Sequence, residues 1–141
     1  MGRALVFCLM MGCGEPLRDE VTPVTELDYK AWKQVHVEGD APGHTGFRTI
    51  YANDLARDPT QAFVDGYQEG AIFVKEVFND AARTDRRHVA VMRRIGDPDD
   101  DGGWYFTEAK GDGPEEHYDF CFRRCHAAAP YKGAWFDYRD E

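Results

Sequence analysis

Cys121-Phe122-Arg123-Arg124-Cys125-His126 is the densest run of reactive side chains in the sequence. Two thiols can oxidise to a disulfide, thiolates and imidazole can hold a metal, and two thiols beside a histidine can carry a porphyrin through thioether bonds. Each outcome has a spacing rule. A disulfide between residues i and i+4 of an ideal helix sits near the limit of bridgeable geometry and closes a loop too short to contribute much. Zinc would need His117 as a fourth ligand with Cys121, Cys125 and His126, and the adjacent Cys125 and His126 would both have to turn toward one ion. Haem attachment usually reads C-x-x-C-H, whereas three residues separate these cysteines. On a regular helix the extra residue swings the first thiol by about 100° relative to the histidine, a displacement that a π-bulge could absorb.

Further candidates lie along the chain. In the apolar run 71–78, alternation puts Phe73, Lys75 and Val77 on one face and Ile72, Val74, Glu76 and Phe78 on the other, so each face carries one charge. A lysine desolvated by such neighbours tends toward its neutral, nucleophilic amine, while an exposed edge lysine only blunts aggregation. Met92 could serve as an axial ligand, although its place in a strand pattern suits packing. Asp97-Pro98-Asp99-Asp100-Asp101-Gly102 with Glu108 matches the calcium-loop string D-x-D-x-D-G-x5-E. An EF-hand needs helices on both sides, and the flanks here alternate like strands, so the choice is between calcium in a hairpin turn and a solvated acidic turn. His36, His44 and His88 form no constellation in the sequence and read as solvent or loop residues.

The elements that must position these groups follow from periodicity. Thr25 is placed to cap a first helix through Leu27, Ala31 and Val35. Segment 47–51 reads as a strand, and 53–63 as a helix broken near Pro59. Strands are expected at 71–78, 88–95 and 104–108, the last two joined by the Asp- and Gly-rich turn at 96–103, which makes an antiparallel meander. Segment 115–129, between Pro114 and Pro130, reads as a helix carrying both cysteines and His126. The aromatic tail 131–141 is expected to add an edge strand. The fold class is therefore α+β, an antiparallel sheet with flanking helices.

With 141 residues, 43% of them hydrophobic, the chain has room for one domain with a real core. Its net charge of −9 and lack of a basic stripe argue against a nucleic-acid partner. Residues 1–12, with Arg3 followed by a short apolar run, read as an export signal, too short to span a membrane. Met10-Met11-Gly12-Cys13 resembles a bacterial lipoprotein cleavage box. It implies lipidation at Cys13, a periplasm-facing outer-membrane location and a linker at 13–26 before the domain at 27–141. The alternative is a plain secretory signal.

His44 to Ala56, Gly70-Ala71-Ile72-Phe73-Val74-Lys75-Glu76, Val91 to Arg94, Gly103-Trp104-Tyr105-Phe106 and Cys121 to His126 together resemble the cytochrome P460 family in order and spacing. The resemblance implies an exported haem c protein, commonly dimeric, built on an antiparallel sheet with flanking helices. It implies thioethers to an iron porphyrin at Cys121 and Cys125, His126 as the iron ligand, Lys75 as the ring cross-link and Arg48 in the distal pocket. It further implies oxidation of a small nitrogen compound such as hydroxylamine, with electrons passed to a redox partner. The alternatives are a nitric oxide binding or electron-transfer protein of the same fold, or a haem-free structural domain of the envelope. The proton acceptor such an oxidation needs is not legible in the sequence.

Overall fold

The computed structural model describes residues 14–37, 44–57, 66–96, 101–135 and 139. Seven strands form one antiparallel sheet: β1 (Glu15–Pro16), β2 (Lys33–Val37), β3 (Phe47–Ala52), β4 (Ile72–Phe78), β5 (Arg86–Arg94), β6 (Trp104–Lys110) and β7 (Glu115–His117). Their spatial order is β1-β7-β6-β5-β4-β3-β2. From β2 to β7 the chain is thus a meander in which each strand pairs with its predecessor; the expected meander covers β4 to β6, and β2 and β7 fall where helices were expected. β1 returns to the far edge, where Glu15 stands opposite His117.

Helix content is much lower than the sequence pattern suggests. In place of the first helix, 3-10 turns at Val24–Glu26 and Tyr29–Ala31 lead into β2. Trp32 is already extended, with φ −76° and ψ 164°. The four-residue spacing of Leu27, Ala31 and Val35 is overridden because pairing with β3 satisfies the backbone of Lys33–Val37. The helix expected at 53–63 is a 3-10 turn at Leu55–Arg57, whose Ala56 N–H donates to Asn53 Oδ1 at 3.0 Å; residues 58–65 lie outside the described set. The helix expected at 115–129 divides into β7, a five-residue helix α1 (Phe120–Arg124) and a 3-10 turn at His126–Ala128. The tail supplies an isolated bridge between Tyr131 and Ala134 in place of an edge strand within its described part. Among the described residues the domain is mostly β, and its flanking helices reduce to α1 and single turns.

The sheet separates two cores. One face carries Ile50, Ala52, Phe73, Trp104 and Phe106, packed with Tyr67, Ala134, Cys121 and Phe122 from the loops and α1. The other carries Tyr51, Val74, Val89 and Val91 beneath Val24, Leu27, Tyr29 and Trp32 of the N-terminal segment. That segment is pinned by a buried ion pair: Arg93 Nη1 meets Glu115 Oε1 at 2.7 Å, both side chains 4% exposed. Arg93 Nη2 also donates to the Thr22 carbonyl, and Val24 N–H donates to Glu115 Oε2 at 2.6 Å.

Candidate functional site

Lys75 and Glu76 are neighbours in sequence and opposites in the fold. Glu76, its side chain 2% exposed, lies on the N-terminal-segment face, where Tyr29 and Tyr51 hydroxyls donate to it at 3.0 and 3.2 Å and Lys30 and Arg86 pair with it. Burial alone would raise its pKa, but the hydrogen bonds and charges of Lys30 and Arg86 hold it below the usual carboxylate value. This charge is a structural clamp beside a groove of about 730 Å³ lined partly by Lys30, Tyr51 and Arg86.

Lys75 points to the face that α1 covers. Register places Ile50, Lys75, Ala90 and Glu108 in one row across β3 to β6, with Arg48, Val77, His88 and Lys110 in the row beside it. Burial lowers the Lys75 pKa to about 8, the Arg48 charge pushing the same way against Glu108 and Cys121. At pH 7 about a tenth of such an amine is neutral, far more than at the ordinary lysine value. Arg48 is 6% exposed and donates to the His44 carbonyl at 3.3 Å.

The cysteine cluster is placed by the break after α1. Cys125 N–H still donates to the Cys121 carbonyl at 3.3 Å, yet Cys125 itself has φ −134° and ψ −49°, and the chain re-enters as a 3-10 turn. The helix thus ends at Cys125 with no π-bulge between the two cysteines, and His126 stands on a new turn, not on the continuous helix the sequence suggested. Cys121 and Cys125 are free thiols. Burial, with the Glu108 charge next, raises the Cys121 pKa to about 11, so the group is a neutral thiol.

His126, 7% exposed, donates from Nδ1 to the Gly133 carbonyl at 2.7 Å, which leaves Nε2 as the ring nitrogen with a lone pair to offer. Its pKa is lowered by burial, against the Gly133 hydrogen bond, so the ring is neutral. Gly133 has φ +101°, and a Cβ there would approach Trp104 Nε1 to 2.4 Å. Trp104 in turn donates from Nε1 to the Lys132 carbonyl at 2.8 Å, fixing the loop that holds the histidine.

The structure thus brings Lys75, Arg48, Cys121 and His126 to one face and adds Glu108, a carboxylate whose pKa is raised by burial against the charges of Lys110 and Lys75. The sequence had offered Glu108 only as the last position of a calcium string; its row mate Lys75 becomes visible once the register is known. His44 and His88, read as solvent or loop residues, in fact meet Glu108. His117 does not join the cysteines: it stacks on Tyr105 at 4.2 Å and donates from Nδ1 to the Phe106 carbonyl, which removes the four-ligand zinc arrangement. Met92 packs against the apolar cluster, and His36 lies 3.0 Å from the Thr49 hydroxyl. Residues 1–13, with Cys13, and Asp97, Asp99 and Asp100 of the calcium string lie outside the described residues.

An antiparallel sheet that sets a lowered-pKa lysine on the face of the Cys121 thiol and a carbonyl-anchored histidine, with Cys125 next to that histidine in sequence, defines a domain suited to a porphyrin. The chain belongs to the cytochrome P460 family, whose family model, Cytochrome P460, matches residues 27–136. Membership implies haem binding. No curated protein matches the chain. The donor set fits that group: neutral imidazole with its second nitrogen already committed, and thiols that are unbridged.

Proposed function

We propose that the protein is a haem c oxidoreductase that takes electrons from a small nitrogen compound such as hydroxylamine. Cys121 and Cys125 would hold the haem as thioethers, His126 Nε2 would ligate its iron and Lys75 Nζ would be the residue joined to the ring. A haem held there would supply one-electron redox chemistry at its iron, with a redox partner protein as the electron acceptor. Arg48 orients the substrate and stabilises negative charge, since a guanidinium cannot serve as a base. Glu108 takes up a substrate proton at its carboxylate oxygen; its raised pKa brings it closer to the working pH of a general base. α1 and the Phe122 ring cover the face and limit water.

The observation that carries this reading is the sharing of one sheet row by Lys75 and Glu108 beside Cys121. We also assign export to residues 1–12, lipidation to Cys13 and pairing of two copies in solution. Expression in a host with haem c maturation, followed by intact mass analysis, tests the set. A mass gain of one haem that survives denaturation and falls away in Cys121→Ser/Cys125→Ser supports attachment, and the same spectrum reports the lipid. Turnover of hydroxylamine separates an oxidase from a nitric oxide binder. If Lys75→Ala left both absorption spectrum and turnover unchanged, the role given to Lys75 would be wrong.

A further inference from the structure

His44, His88 and Glu108 reach one another from three different parts of the chain. His88 lies on β5, Glu108 on the adjoining β6, and His44 in the segment before β3. One ligand atom from each lies within 4.8 Å of the others. His88 is 8% exposed, and its Nε2 is a buried nitrogen with no hydrogen-bond partner among the described residues; His44 Nδ1 is buried and unpartnered in the same way. Buried polar atoms are almost always satisfied, so two orphaned imidazole nitrogens around one carboxylate ask for a ligand.

We propose that His44, His88 and Glu108 form a binding site for a divalent first-row transition ion, with zinc the best-suited probe. Two imidazoles and one carboxylate are a common three-ligand set for zinc, water filling the fourth position. Ligands about 2.0–2.1 Å from a tetrahedral ion stand roughly 3.3 Å apart, so modest side-chain rotation closes the cluster from its present spacing. Burial, together with nearby cations, lowers the His44 pKa to about 3 and the His88 pKa to about 4, so both rings are neutral at pH 7. Arg48, Lys75, Arg87 and Lys110 oppose a cation, and the single Glu108 carboxylate offsets only part of that charge. The cluster adjoins the candidate haem face, sharing Glu108 with it and lying beside Lys75 and Arg48, but all three ligands come from this chain and none from the haem.

Calorimetric titration of the full haem-loaded chain with Zn²⁺ is the test, repeated on Cys121→Ser/Cys125→Ser to separate this site from the cysteine cluster. One equivalent should bind in both proteins, and His44→Ala, His88→Gln and Glu108→Gln should each weaken binding tenfold or more. His44→Ala alters a segment before β3 and Glu108→Gln keeps the side chain's size, so these two carry the result even if His88→Gln does not fold. No binding, binding confined to the chain with intact cysteines, or affinity unchanged in His44→Ala and Glu108→Gln would overturn the site. Because Glu108 cannot hold an ion and accept a proton at once, zinc also slows hydroxylamine turnover; that consequence alone rests on the oxidase reading.

Discussion

Lys75 charged at pH 7 costs the fold, because its folded pKa of about 8 lies below the ordinary value of 10.5. Between those values the unfolded chain binds more protons, so stability relative to a chain without the amine rises with pH. Lys75→Met in the haem-free Cys121→Ser/Cys125→Ser chain should therefore stabilise by on the order of 1–3 kcal/mol below pH 8, the gain disappearing as pH climbs toward 10.5. Urea melts at pH 7 and pH 10 check both the sign and the window. Gly133→Ala should have the opposite effect. At φ +101° and with Trp104 in the way, the methyl group should cost about 1–3 kcal/mol and displace the carbonyl that holds His126. A melt, with loss of the native haem spectrum in the loaded protein, is the measurement. At this scale the sequence exposed Cys121, Cys125, His126 and Lys75 through type and spacing. It concealed Glu108 and the two histidines because their meeting depends on register and on a loop return, neither of which leaves a local pattern.

Among the elements, the central strands were legible and the edge strands β1, β2 and β7 were not. β4, β5 and β6 announce themselves through β-branched and aromatic runs, and their observed bounds differ from the expected ones by a few residues at most. The helices expected through Leu27, Ala31 and Val35 and at 115–129 gave way in part to strand pairing; of the one expected at 53–63, only 53–57 lie among the described residues. At 115–117 the deciding partner is far away in sequence, since Glu115 is held by Arg93 on β5. Glu115→Ala leaves a guanidinium that is 4% exposed without its counter-charge and should destabilise by about 3–5 kcal/mol. Hydrogen exchange should then quicken first at Val24, whose N–H loses the Glu115 acceptor. Equal protection at Val24 in both proteins would mean that the ion pair does not pin the N-terminal segment.

Across the whole molecule, the sheet works as a partition. One side holds a carboxylate clamped by Lys30, Arg86 and two tyrosines, and the other holds the amine, thiols and imidazole of the candidate haem site. The Glu76 contribution is fully present above the unfolded carboxylate pKa, 4.5, and is lost as pH falls through the lower folded value. Glu76→Gln should flatten the acid limb of the stability curve below pH 4.5 while leaving the haem spectrum of the loaded protein intact. A fluorescence-monitored acid titration of both proteins decides it.

Because adjacent residues of β4 bear opposite charges toward opposite cores, its alignment cannot drift. Inserting a single amino acid upstream within that strand would transpose acid and base, driving a carboxylate among the thiols and stranding the amine against Lys30 and Arg86. Natural length variation in this domain should accordingly be confined to its connecting loops, with β4 invariant in span.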